Sequence, residues 1–239
     1  MLRVLYIIYS FLIALPLFIV VTAITGVAVF VASLFGDRTY TSYYVPKVWG
    51  RCACTLFLLP VKIEGREKLD SKQSYVFLAN HQGYFDIFLI YGYLGHNFKW
   101  MMKEYLKKMP FVGFACMASR QIFVGDSISS IGRAVAQARE TLRGGMSMVI
   151  FPEGTRSFDG KMVPFKRGAF MLANEIGLPI VPITINGSFD VFSRKANIVS
   201  WGRLSLTIHD PITDEQRKGK QTKEIMQEVY DIIDSKLEK

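Results

Sequence analysis

Residues 4–36 contain no charged side chain, and this run constrains the fold more than any other feature of the chain. A helix of about 20 apolar residues spans the hydrocarbon of a bilayer, so the run is long enough for one tilted span. Pro16 stands in its middle, where proline kinks or breaks a helix, and Gly26 offers a second flexible point. The run therefore also reads as two shorter helices dipping into one leaflet, with both ends on the same face. A cleaved signal peptide fits poorly, because its apolar region is about 7–15 residues long. A soluble core helix rarely needs so long an uncharged stretch. Basic residues flank both ends (Arg3, then Arg38, Lys47 and Arg51), so the positive-inside rule selects no orientation. Residues 40–60 mix aromatic, apolar and basic side chains and read as a helix along the membrane surface. The expected organisation is an anchoring segment at 1–60 and a catalytic-sized domain at 61–239.

Beyond the anchor the pattern alternates. Tyr75-Val76-Phe77-Leu78-Ala79 and Ser147-Met148-Val149-Ile150-Phe151 are nearly unbroken apolar runs, as strands buried on both faces require. Residues 61–65, 120–124, 180–185 and 204–208 read as further strands. Helices are expected at 85–94, 130–143 and 165–176, the last ended by Gly177. Ile225, Val229, Ile232, Ile233 and Leu237 stripe a C-terminal helix that Thr222 is expected to cap. Strands alternating with helices predict an α/β domain whose sheet is mixed, largely parallel and flanked by helices. Ligands of such sheets gather at the carboxyl ends of the strands.

Two motifs follow strands directly. The first is Asn80-His81-Gln82-Gly83-Tyr84-Phe85-Asp86. Imidazole has an unperturbed pKa near neutrality, so a histidine paired with a carboxylate is a ready general base. Residues five apart share no face of a helix or a strand, so His81 and Asp86 meet only if the chain bends, and Gly83 permits a bend. The second is Phe151-Pro152-Glu153-Gly154-Thr155-Arg156-Ser157. Gly154 lets backbone approach a ligand, Thr155 and Ser157 offer hydroxyls, and Arg156 holds a phosphate with parallel hydrogen bonds. Either motif alone is weak, since a histidine and aspartate at this spacing are most often a surface pair and polar turns are common.

The formal charge of +9 suits nucleic acid, an anionic membrane or acidic small molecules. It is concentrated: residues 98–168 hold twelve Lys or Arg against five Asp or Glu. The three cysteines, Cys52, Cys54 and Cys116, make no disulfide framework, and no Cys and His set has zinc-ligand spacing. Walker, GxGxxG and G-x-S-x-G motifs are absent, the last arguing against a serine hydrolase.

Taken together, the motifs resemble those of the glycerolipid acyltransferases, the 1-acylglycerol-3-phosphate (PlsC-like) family. Asn80, His81 and Asp86 match its first block, residues 151–157 its third, and Ile180-Val181-Pro182-Ile183 its fourth. Lys103-Glu104-Tyr105-Leu106 and Pro164-Phe165-Lys166-Arg167-Gly168 are also similar, and the resemblance runs from about residue 61 to 208. It implies that His81 deprotonates an acceptor hydroxyl, that Asp86 fixes its tautomer, and that the hydroxyl attacks an acyl thioester. It implies substrate-binding roles for Asn80, Lys103, Glu153, Gly154, Thr155, Arg156 and Lys166, with no metal and no cofactor. The implied partners are a lysophospholipid acceptor, an acyl-CoA or acyl-ACP donor and membrane lipids, without nucleic acid. The implied location is a membrane, with the site facing the cytoplasm, as on a bacterial inner membrane. One position departs from the pattern: Asp126 stands where the second block usually carries a phosphate-binding arginine. Arg120 and Arg133 are the candidate substitutes. Acylation of another lysolipid, such as a lyso-amino-acid lipid, and a non-catalytic protein that binds anionic lipid are the competing expectations.

Overall fold

The computed structural model describes residues 1–35, 43–109, 112–125, 127–142 and 145–238. Asp126 lies outside them. The uncharged run forms one helix, α1 (Leu2–Leu34). Pro16 does not break it, because a π-helical turn at Ser10–Ala14 precedes the proline. The wider turn makes room for a ring that would clash with the carbonyl four residues back. At 1.5 Å per residue α1 is about 50 Å long, more than the hydrocarbon thickness.

One side of α1 is seated on the domain. The Phe18 ring meets those of Trp49, Phe57 and Phe88, with the Phe88 centroid 5.3 Å away. The Tyr6 and Tyr9 hydroxyls donate to the carbonyls of Phe57 and Leu56, both at 2.8 Å. The other side presents Leu5, Phe11, Leu12, Ile19, Ile24 and Val27 to the exterior. Helix α2 (Val45–Leu56) is the helix expected near residues 40–60, and it packs on α3 (Phe85–Tyr93). Ala53, Cys54, Phe57 and Leu59 join the main core.

Among the described residues seven strands follow: β1 (Val61–Glu64), β2 (Val76–Ala79), β3 (Phe98–Lys103), β4 (Ile122–Val124), β5 (Ser147–Ile150), β6 (Ile180–Asn186) and β7 (Leu204–Ile208). They form one sheet in the order β1-β7-β6-β2-β5-β3-β4. Every neighbouring pair is parallel except β6 and β7, so the sheet is mixed and largely parallel, as expected. The period of two along each strand divides its side chains between two cores. Phe77, Ala79, Val149, Val181 and Ile183 face α1, α2 and α3. Val76, Leu78, Met148, Ile150 and Ile180 face the layer of α5 (Ile128–Thr141), α6 (Arg167–Ile176) and α9 (Thr222–Asp234). Between these elements lie α4 (Val112–Ala118), α7 (Ser188–Phe192) and α8 (Asp214–Arg217).

Two local expectations change. Strand β3 reads Phe-Lys-Trp-Met-Met-Lys and carries neither an apolar run nor clean alternation, so the sequence pattern conceals it. Thr222 is the first residue of α9, and Gln221 is its cap, exchanging hydrogen bonds with Glu224 in a capping box.

The sheet order matters for function. β2 and β5 are adjacent and parallel, with Val76 opposite Met148 and Leu78 opposite Ile150. The loops that leave them therefore emerge side by side at one edge of the sheet.

Candidate active site

The first loop leaves β2 with its asparagine anchored. Asn80 is fully buried, its Nδ2 donating to Ile185 O at 2.8 Å and its Oδ1 accepting from Ile185 N at 2.7 Å. Both ends of the amide are thus committed to β6. The polar atoms of Asn80, a residue expected to bind substrate, point into the sheet.

The chain then turns so that His81 and Asp86 meet. His81 Nδ1 lies 2.7 Å from Asp86 Oδ2. The same oxygen accepts from the backbone N–H groups of Gln82 (2.7 Å) and Gly83 (2.9 Å). Asp86 sits in the first turn of α3, where the helix dipole favours a carboxylate, and it is fully buried. Its second oxygen, Oδ1, is buried and takes no hydrogen bond from the described residues. Gly83 is needed for close approach rather than for an unusual φ. A Cβ there would stand 2.3 Å from Ser188 O and 2.5 Å from Ser188 Oγ on α7.

The imidazole is held on its flat side as well as its edge. It lies on the Phe151 ring with centroids 3.8 Å apart and planes 7° from parallel, and Phe151 in turn stacks on Trp100 at 5.2 Å. The side chain of His81 keeps 15% of its surface exposed. With Nδ1 donating to Asp86, the Nε2 lone pair is the free base, and it meets no partner among the described residues.

The second loop is stitched to the first. Ser157 N donates to His81 O at 2.8 Å. Glu153 is buried, with Oε1 accepting from His81 N (2.7 Å) and Oε2 from Val163 N (2.9 Å). Burial pushes its carboxyl up to about 7, against those two donors, which favour the charged form. Oε1 thus holds the loop that carries His81, and Oε2 holds the backbone at Val163. The Ser157 hydroxyl is likewise spent within its turn, donating to Lys161 O at 2.7 Å and accepting from Gly160 N at 2.9 Å.

The remaining candidates surround an exposed turn. Gly154 has φ +69°, and the Lys166 side chain lies across it: a Cβ at Gly154 would stand 2.8 Å from Lys166 Nζ. Thr155 is exposed, and the Arg156 guanidinium rests over the Tyr84 ring at 3.6 Å. Lys103 ends β3, on the strand next to β5 and at the same edge of the sheet. Arg120 precedes β4 and stands at the opposite edge, which removes it as a substitute for the missing arginine. Arg133 is exposed on α5. Two contributors were not anticipated from the sequence. Phe151 reads in the sequence only as motif and strand, and its stacking depends on β2 and β5 being neighbours. Arg194 donates from Nη1 to Thr155 Oγ1 at 3.2 Å, from a segment with no motif of its own.

A buried carboxylate, an oriented imidazole with a free nitrogen and a cationic rim are the parts that a base-catalysed group transfer requires. Residues 60–186 match the model of the acyltransferase family, and the chain belongs to that family. It is similar to a 1-acyl-sn-glycerol-3-phosphate acyltransferase of Chlamydomonas reinhardtii, 32% identical over 84% of this chain and 60% of the relative. A chloroplastic 1-acyl-sn-glycerol-3-phosphate acyltransferase of Arabidopsis thaliana is 33% identical over 71% of this chain and 48% of the relative. The chain thus spans about half to three-fifths of the length of these curated relatives. The crystal structure of the 1-acyl-sn-glycerophosphate (LPA) acyltransferase PlsC from Thermotoga maritima superposes with a TM-score of 0.78. That pair is 25% identical and covers 98% of this chain and 93% of the other.

Proposed function

We propose that the chain transfers a fatty acyl group from acyl-CoA or acyl-ACP to the sn-2 hydroxyl of 1-acylglycerol-3-phosphate (lysophosphatidic acid). The product is phosphatidic acid, a precursor in phospholipid biosynthesis. The observation that carries this reading is the 2.7 Å contact of His81 Nδ1 with buried Asp86, which leaves Nε2 as a base at the sheet's carboxyl edge. Nε2 takes the hydroxyl proton as the acceptor oxygen bonds to the thioester carbonyl carbon. The tetrahedral intermediate collapses, the C–S bond breaks, and the imidazolium returns the proton to the leaving thiolate. Asp86 keeps the tautomer and faces the imidazolium with negative charge throughout. The substrate oxygen is itself the nucleophile, so no acyl-enzyme forms.

In this reading Gly154, Thr155, Arg156, Lys166 and Lys103 receive the acceptor head group, while Asn80 and Glu153 hold the loop that presents His81. Residues 1–60 supply membrane attachment and 61–239 the chemistry. The length and exposed apolar side of α1 support attachment, and the single-chain acceptor and two-chain product both reside in a bilayer. The site faces the cytoplasm, where thioester donors are made, as on a bacterial inner membrane.

The test is an acceptor panel with a labelled thioester donor and the full chain in membranes. Labelled phosphatidic acid as the main product is expected. Turnover that prefers phosphate-free or amino-acid lysolipids would move the assignment to another acceptor.

A further inference from the structure

We propose that Arg194 is a second phosphate ligand beside Arg156 and sets the preference for a phosphate-bearing acceptor; this rests on the acyl-transfer reading above. Arg194 lies between α7 and β7, past residue 186 where the match to the acyltransferase family ends.

The turn after β5 exposes Gly154 and Thr155 among three cations. The Lys166 side chain lies across Gly154, and Arg156 rests on the Tyr84 ring. The Arg194 guanidinium lies 3.9 Å from the centroid of the Phe158 ring and donates to Thr155 Oγ1 at 3.2 Å. Among the described residues neither arginine forms an ion pair. Asp159, the carboxylate nearest in sequence, is engaged within its own turn, accepting from Lys161 N at 3.2 Å. An aromatic face supports a guanidinium while leaving its N–H edge open to a planar or tetrahedral oxyanion. Two such groups held on rings, one of them bonded to Thr155 next to the other in the chain, form a prepared site for an anion that the protein does not itself supply.

The position fits the acceptor. Arg156 adjoins Ser157, whose N–H bonds to the carbonyl of His81 at 2.8 Å. The turn that carries Arg156 therefore adjoins the loop that carries the base. In 1-acylglycerol-3-phosphate the phosphate sits on the carbon next to the one bearing the reacting hydroxyl, so base and phosphate site must be neighbours. A phosphate monoester carries about −1.5 to −2 charges at neutral pH and calls for more than one cation. Asp126 stands where the resemblance leads one to expect an arginine, and Arg120 is at the far edge of the sheet. Arg194 restores the missing charge from a different segment.

The phosphates of an acyl-CoA donor share this chemistry, so the experiment separates the two sources. Steady-state kinetics of the full-length wild type, R194A and R194K are measured with lysophosphatidic acid and with monoacylglycerol of the same chain, varying acceptor and donor in turn. Thermal unfolding checks that each variant is folded. Loss of a charge-assisted hydrogen bond predicts that R194A lowers the ratio of kcat/KM for the phosphate acceptor over the phosphate-free one by about 10- to 100-fold. R194K is expected to recover part of that ratio, and inorganic phosphate to inhibit R194A more weakly than wild type. An unchanged ratio and unchanged phosphate inhibition in R194A, with wild type still acylating lysophosphatidic acid, would overturn the role of Arg194 and leave the acyl-transfer reading standing. A rise in KM confined to the donor would assign the arginine to CoA and contradict the proposal. Wild type that fails to acylate lysophosphatidic acid would remove the acyl-transfer reading itself.

Discussion

The His81 imidazole lies flat on the Phe151 ring, 3.8 Å between centroids and 7° from parallel. Asp86 fixes the edge of the base, and Phe151 fixes its plane. Phe151→Leu keeps an apolar residue and removes the plane. It is expected to lower kcat roughly tenfold with little change in acceptor KM, since small misplacements of a reacting group cost rate steeply. Phe151→Tyr should recover most of the loss. Single-turnover rates of the two variants check this, and equal losses in both would argue against stacking as the cause.

Asn80 is assigned here to the fold. Asn80→Ala strands the N–H and C=O of Ile185 in the sheet, at about 1–3 kcal/mol for each buried group left unpaired. Thermal unfolding is expected to shift down, kcat to fall with it, and acceptor KM to hold. A rise in KM with unchanged stability would return Asn80 to substrate binding.

Glu153 gives the stability a pH dependence with a definite sign. Its folded pKa, about 7, lies above the ordinary glutamate value of 4.5, so the folded state binds the extra proton. Its contribution is fully present below pH 4.5 and is lost as pH rises to about 7, by about 3 kcal/mol at 1.36 kcal/mol per unit. Glu153→Gln cannot titrate, and it also turns an amide N–H toward a backbone donor. The variant should be less stable at low pH, with the gap to wild type narrowing between pH 4.5 and 7. Denaturation midpoints across that window measure it; a gap that widens with pH would reverse the sign.

The exposed side of α1 predicts membrane attachment without a catalytic role. Leu12 and Ile24 are 66% and 63% exposed and make no part of the site. Aspartate at both positions opposes insertion by about 2.5–3.5 kcal/mol per charge near the bilayer centre. Flotation should find less of the double variant with membranes. Full retention would show that attachment lies elsewhere.

Much of this was legible in the sequence because buried strands write themselves as apolar runs. β2 and β5 were recognisable, and with them the starting points of both loops. Their adjacency was not, since β3 and β4 intervene in the chain and strand order depends on long-range packing. The stack of His81 on Phe151, the inward turn of Glu153 and the clamp of Asn80 on β6 all follow from that order. Pro16 reads locally as a break, yet a π-helical turn absorbs it. Arg194 carried no signal at all, because a lone arginine in a loop acquires meaning only beside Thr155 and Phe158.

The central claim is that His81 is the base of acyl transfer. Transfer of labelled acyl groups to lysophosphatidic acid by wild-type and His81→Ala protein, matched for membrane content and folding, tests it most directly. The account predicts phosphatidic acid from wild type and a loss of at least about a hundredfold in the variant, in the range of general-base contributions. Comparable turnover by a folded His81→Ala protein would contradict it.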